Sequence, residues 1–214
     1  MFTVLYFQSS VRMLAPLVCL FILLGTACAQ FVPGTDTGCS VTPGDVLGPY
    51  YVPGTPVSRT MCLGTSDDDY MFVKGTVYDV HCHPVHGASV EVWQADKTGL
   101  YYHDRCRVQF TADRQGKFSF VTTLPGKYLL GYYYRPAHIH YRVTAPGYRE
   151  VVTQLYFTHD DSLGANDPCD TCNSGSAELI MDVRAPTADD LVQIAQLVTF
   201  PVNKVVEFNP VMGH

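Results

Sequence analysis

The sequence predicts an all-β fold, an antiparallel β-sandwich or barrel-like core with long loops and an N-terminal arm. Three observations carry this. Short runs alternate apolar and polar residues with the period of a strand. Glycine and proline separate those runs. Only one segment has helical character. In order, the runs are "MFVKGTVYDV", "ASVEVWQAD", "KFSFVTTLPG", "HIHYRVTAPG", "VVTQLYF" and "AELIMDV". Pro84 and Gly87, Gly116, Pro125 and Gly126, and Pro146 and Gly147 punctuate them. The helical segment is "TADDLVQIAQLV", with Thr187 placed as its cap and Asp190 three residues later. Residues 35–56, rich in Gly, Pro and Thr, read as an extended arm laid over the domain.

The N-terminus sets the expected compartment. "MLAPLVCLFILLGTACAQ" combines a preceding Arg12, an apolar run and small residues at Ala27, Cys28 and Ala29. That is a secretory signal pattern, with cleavage expected after Ala29 and Met13 as an alternative start. No basic stop-transfer cluster follows, so stable membrane association after signal removal is not expected. The expected organisation is a signal peptide over residues 1–29, an arm over 30–68 and one catalytic domain over 69–214. Removing the signal removes Arg12 and no acidic residue, so the formal charge moves from -6 to -7. Neither that charge nor any basic run suits a nucleic-acid partner.

Eight cysteines are present, and two of them, Cys19 and Cys28, leave with the signal. Cys39, Cys62, Cys82, Cys106, Cys169 and Cys172 remain, an even number that predicts three disulfides in a secreted chain. "CDTC" could also be read as a redox pair or half a zinc site. No second close-spaced pair accompanies it, so the structural disulfide is preferred. The mature chain has no N-glycosylation acceptor.

Within "YYYRPAHIHY", His138 and His140 are one residue apart. On a strand both imidazoles point to one face, while Ile139 points to the other. Two same-face histidines make half of a metal site. "HCHPVH" is a rival, with His81 and His83 sharing a strand face and His86 beyond a turn, but it sits at a strand end beside Cys82 and is read in preference as a solvated loop. No Asp or Glu completes a ferrous facial triad beside His138. Tyrosines are abundant instead, fourteen in the chain. A phenolate needs a strongly Lewis-acidic metal to lose its proton at neutral pH, and ferric iron is such a metal.

The segments "GPYYVPG", "VKGTVYD", "GASVEVWQADKTGLY", "GKFSFVTTLPGKY", "RPAHIHYRV" and "TQLYF", in this order, resemble the intradiol ring-cleavage dioxygenases. The similarity is strongest to the secreted single-domain subgroup known in fungi and plant-feeding mites. The resemblance implies one non-haem Fe(III) per chain, held by Tyr101, Tyr128, His138 and His140. A one-residue slip to Tyr102 would turn the side chain to the other face, and the spacing from Trp93 favours Tyr101. Arg135 matches the family's active-site arginine, Gln154 its buried glutamine, and Tyr50 an arm residue lining the substrate pocket. Trp93 and Phe118 are expected in the core.

The implied reaction is O2-dependent cleavage of a catechol between its hydroxylated carbons, giving a cis,cis-muconate. Tyr128 is the ligand expected to yield to substrate, and Arg135 the charge that stabilises carbanionic character in the ring. Where protocatechuate enzymes carry tryptophan, two residues after the axial tyrosine, this chain has Leu130, which implies a different and more open pocket wall. The helical linker of the catechol enzymes finds no counterpart here, so a monomer is expected. Two other classes stay in view: a degenerate secreted module binding aromatic or carbohydrate ligands, and a disulfide-stapled structural module.

Overall fold

The computed structural model describes residues 38–64 and 70–214, and the predicted signal segment lies outside the described residues. Among the described residues there are twelve strands: β1 (Tyr70–Thr76), β2 (Tyr78–Asp79), β3 (Ser89–Gln94), β4 (Arg107–Thr111), β5 (Lys117–Thr123), β6 (Tyr128–Leu130), β7 (Tyr133–Arg135), β8 (His138–Thr144), β9 (Val151–Phe157), β10 (Ile180–Met181), β11 (Lys204–Glu207) and β12 (Val211–Met212). A short α-helix, α1 (Ala188–Ile194), precedes β11. The main sheets have the orders β10-β9-β8-β3-β4 and β11-β1-β5.

Alternation along the strands divides the larger sheet into two faces. Val90 and Val92 of β3, Ile139, Tyr141 and Val143 of β8, and Leu155 of β9 join Met71, Val73, Phe118 and Phe120 of the smaller sheet in one buried cluster. Phe110 of β4 meets Phe120 of β5 with ring centroids 5.4 Å apart. Residues of the opposite register, Trp93, His140 and Gln154, lie directly across from one another on the other face. That outer face carries the site described below.

The strands bear out the predicted all-β class, and two details differ from a closed antiparallel barrel. Among the described residues neither main sheet closes on itself, since β4 and β10 form the edges of one and β11 and β5 those of the other. Three pairings are parallel: β1 with β11, β9 with β10, and β2 with β12. All three involve short strands within residues 180–214, and β10 and β11 return along strands already paired elsewhere. "AELIMDV" is also mostly not a strand, for residues 177–179 form a 3-10 turn and only two residues pair. "MFVKGTVYDV" breaks at Val77 into β1 and β2.

Residues 38–64 run without regular secondary structure and protect exposed backbone. Ser58 N–H bonds the Gln109 carbonyl on edge strand β4, and Met61 N–H bonds the Val121 carbonyl on edge strand β5. Unpaired edge groups are thus covered by the chain's own segment. Cysteine pairs are Cys39–Cys82, Cys62–Cys106 and Cys169–Cys172. Cys62, Cys82 and Cys106 have positive φ, a conformation that costs a non-glycine residue about 1 kcal/mol or more and needs tertiary support. The bridges supply that support at the ends of the arm.

Thr187 caps α1 as read from sequence: its side chain accepts from Asp190 N–H, and the Asp190 carboxylate accepts from Thr187 N–H. Asp190 is buried and also pairs with Arg184 at 2.6 Å and Lys74 at 2.8 Å. Arg184, then Lys74 and the cap, hold this carboxyl well below the usual carboxylate range against the opposing effect of burial. Replacing Asp190 by alanine should cost on the order of 2 kcal/mol, because both cations are partly solvated. The folded carboxyl titrates below its unfolded value of about 3.9. Its contribution is therefore complete above that pH and drains as the pH falls toward the folded value. Urea unfolding between pH 2 and 7 checks this: the gap between wild type and Asp190→Ala should be constant above about pH 5 and shrink in acid.

Candidate metal centre

Local chemistry brings four rings to one place. Asp96, at the end of "WQAD", accepts hydrogen bonds at Oδ1 from Thr98 N–H and Leu100 N–H, which folds "DKTGL" into a tight turn. Gly99 lies in that turn with φ +85°, and a Cβ there would sit 2.2 Å from the Lys127 carbonyl. The close approach sets Tyr101 against the segment that begins β6 with Tyr128. Tyr102 points elsewhere: its hydroxyl donates to Asp96, and Arg105 lies over its ring. Pro136 separates β7 from β8, and β8 presents His138 and His140 from the centre of the sheet, both 2% exposed.

Centroid separations are 4.8 Å for His138–His140, 5.4 Å for Tyr101–Tyr128, 5.7 Å for Tyr128–His138 and 6.1 Å for Tyr101–His140. His138 Nδ1–H donates to the Pro136 carbonyl at 2.6 Å, which leaves Nε2 with its lone pair toward the centre. The Tyr101 hydroxyl is 3.0 Å from that Nε2 and donates to it. Burial, reinforced by Arg135, drives the His138 pKa down to about 3. His140 is likewise lowered, by burial and then by His138. Burial pushes the Tyr101 phenol well above its ordinary value, reinforced by Tyr128.

Trp93, read from sequence as a core residue, is buried and stacks on His140 at 4.8 Å, so it also orients that ring. Phe118 is in the core. From the arm, Tyr50 stacks on Tyr101 at 4.2 Å and meets Tyr128 edge-on at 5.9 Å. Gly48, with φ +74°, packs so closely that a Cβ would lie 3.0 Å from His140 Cε1. Leu130 is exposed on the β6–β7 hairpin, alongside Leu129 and Tyr132 to Tyr134.

Behind the rings lies a polar network that sequence reasoning missed apart from Arg135 and Gln154. Arg135 is 2% exposed and donates from Nε to Asp167 Oδ1 at 3.0 Å and from Nη2 to Asp167 Oδ2 at 3.1 Å. Its Nη2 also reaches Gln154 Oε1 and the Tyr156 hydroxyl. Burial opposes the guanidinium charge, but the Asp167 pair outweighs it and the pKa is raised. Gln154 Nε2 donates to Asp45 Oδ1 and the Val46 carbonyl, and Tyr156 donates to Asp45 Oδ2 at 2.7 Å. Arg107, buried on β4, donates to the carbonyls of Tyr50 and Tyr102. Asp45, Asp167 and Arg107 carry no local motif, and only the structure joins them to the site.

The rival "HCHPVH" segment has no shared strand face and is the solvated loop preferred from sequence. Residues 80–82 turn, with Cys82 at φ +61°, and the His81, His83 and His86 side chains are exposed. Among the described residues no group of three or more His, Cys, Asp or Glu is arranged to hold a metal ion.

Two phenols and two neutral imidazoles, with Tyr101 half-buried and the other three buried, gather on the outer face of a β-sheet and make a donor set for a hard, highly charged metal ion. The residues fit the ferric ion expected from sequence: the Tyr101 hydroxyl lies 3.0 Å from His138 Nε2, so both donors face one point, and Tyr101 yields its proton only to a strong Lewis acid. Residues 46–200 match the family model described as Dioxygenase, and the chain belongs to the intradiol dioxygenase family. It is 33% identical to catechol 1,2-dioxygenase of Candida albicans over 56% of this chain and 50% of that protein. It is 30% identical to chlorocatechol 1,2-dioxygenase of Rhodococcus opacus over 77% of this chain and 72% of that one. Among solved structures, hydroxyquinol 1,2-dioxygenase from Pseudomonas putida DLL-E4 superposes with a TM-score of 0.69 at 27% identity, covering 81% of this chain and 67% of that chain. The dioxygenase domain of a dioxygenase carbohydrate-binding protein fusion from Streptomyces sp. SirexAA-E gives 0.63 at 26%, covering 80% and 97%. The chain spans about half the length of the Candida relative.

The contact between Gly48 and His140 generates a prediction. Gly48→Ala should weaken iron retention about tenfold, by displacing the ring through its outer contacts. Iron per chain after graded chelation measures this, with circular dichroism expected to match wild type.

Proposed function

We propose that the protein is an intradiol dioxygenase that cleaves catechol-type substrates with O2 at a mononuclear Fe(III) held by Tyr101, Tyr128, His138 and His140. The observation that carries the reading is the convergence of those four donors, two phenols and two imidazoles, in one cluster of a family member. When bound, the ferric ion would chelate the catecholate and make it reactive toward O2.

The chain's own residues supply the rest. His138 is held as the Nδ1–H tautomer by Pro136, so Nε2 is ready to ligate without first losing a proton. Tyr128 Oη is the acceptor for one catechol proton when substrate enters. Tyr50, stacked on Tyr101, forms a wall of the substrate site. Leu130 forms an outer wall that leaves room for ring substituents. Arg135, beside the Tyr128 ring with its central carbon 5.8 Å from the centroid, steadies negative charge developing on the ring and on oxygen. Gln154 orients Arg135 from behind. The expected product is a cis,cis-muconate. Three cysteine pairs at bonding distance suit an oxidising, extracellular location, and we take the working enzyme to be a monomer.

Aerobic incubation with catechol should consume O2 and yield cis,cis-muconate in equal amounts, and a ring opened beside rather than between the hydroxyls would refute the class. The purified protein should be coloured by tyrosinate-to-iron charge transfer. Tyr101→Phe and His138→Ala should each lose metal or nearly all turnover. Arg135→Leu should keep iron and colour while turnover drops on the order of 10²-fold.

A further inference from the structure

The "CDTC" segment has no place in the reaction so far, yet it borders the residue that holds Arg135. Asp167 is buried, and both its oxygens face the guanidinium. Its Oδ1 also accepts from Cys169 N–H at 3.0 Å. Cys172 N–H returns to the Cys169 carbonyl at 3.0 Å, and the Cys169–Cys172 bond closes this turn. The next residue, Asn173, donates its N–H to Asp45 Oδ2 at 3.0 Å, and Asp45 in turn accepts from Tyr156 and Gln154. One short turn therefore reaches Arg135 from two sides: directly through Asp167, and indirectly through Asp45.

We propose that Asp167 is a positioning residue for Arg135, and that the Cys169–Cys172 turn holds Asp167 in register. The inference rests on the function proposed above and adds to it what decides the pose of the guanidinium. A guanidinium can turn about its Cδ–Nε bond, and a bidentate carboxylate removes that freedom. Asp167 occupies the Nε and Nη2 edge. Gln154 and Tyr156 take the rest of Nη2. Nη1 takes none of these partners, and the Tyr128 ring lies beside the guanidinium, its centroid 5.8 Å from the central carbon. Asp167 thus selects which edge of Arg135 faces the reacting ring, without touching that ring itself. Loss of the carboxylate leaves the guanidinium charged but free to turn toward Asp45 or solvent. An error of about 1 Å in such a group is enough to slow chemistry by orders of magnitude while leaving binding nearly unchanged.

The test uses the iron-loaded full chain and four readouts: iron content, thermal midpoint, anaerobic catechol affinity from the shift of the visible band, and kcat. Asp167→Asn should keep iron and hold catechol affinity within about threefold, while kcat falls on the order of tenfold or more. In an Arg135→Leu background the same substitution should cause no further fall in kcat, because the two residues act as one unit. The paired change Cys169→Ser with Cys172→Ser should lower kcat in the same direction, again only when Arg135 is present. It also keeps the test open if Asp167→Asn fails to fold. Equal losses with and without Arg135, or wild-type kcat in Asp167→Asn, would overturn the positioning role. Wild-type kcat in the paired serine variant would overturn the part assigned to the turn. If Arg135→Leu alone kept full turnover, the failure would lie instead with the role proposed for Arg135 in the reaction.

Discussion

Strand β8 has to satisfy two incompatible surroundings at once, and the remainder of the molecule is arranged around that requirement. Its odd-numbered residues, Ile139, Tyr141 and Val143, join the apolar cluster between the sheets, while His138 and His140 emerge on the far side, equally buried. A strand flanked by solvent would leave the histidines free to ionise. Here β3 and β9 border β8, and arm and loop close over the imidazoles, so both rings are held neutral. The second sheet keeps one face dry, and the arm and the loops around Tyr101 and Tyr128 do the same for the other.

Rows across the strands convert that burial into geometry. Trp93, His140 and Gln154 form one row, and His138 with Tyr156 another. Each imidazole is therefore placed by backbone pairing and not by its own rotamer alone. The acids Asp45 and Asp167 sit behind the rows and complete the hydrogen bonding of Gln154, Tyr156 and Arg135. Charged groups at this depth are costly unless paired and fully bonded. Arg135 meets both conditions, which explains how a cation persists beside two buried imidazoles.

Much of this was legible in the residues. Period-two alternation marked β3, β5, β8 and β9 almost to their ends, and the Thr187–Asp190 box marked the start of α1. The shared face of His138 and His140 followed from spacing alone. What escaped has identifiable reasons. Strands β6, β7, β10, β11 and β12 have two to four residues, too short for a periodic signal. The parallel pairings of β10, β11 and β12 depend on where the C-terminal segment returns, which no local pattern encodes. "HCHPVH" alternates like a strand, but left-handed Cys82, held by its bridge to Cys39, turns the backbone there. Asp167 is 32 positions from Arg135, and Asp45 is 109 from Gln154, so neither partnership leaves a trace in a sequence window.

The two bridges at Cys39 and Cys62 bear on how the site can open. Between them run Asp45, Gly48 and Tyr50, the residues that press on Gln154, His140 and Tyr101. A segment pinned at both ends is a strap, not a flap. It cannot swing out about one hinge, and its excursions are limited by the slack in about twenty residues of chain. Covalent pinning also means that, once displaced, the strap returns to the same register, because its ends never leave their anchors at Cys82 and Cys106. Traffic to the rings must then pass beside the strap, and the neighbouring β6–β7 hairpin, which begins at Tyr128, turns Leu130 and Tyr132 to Tyr134 to solvent.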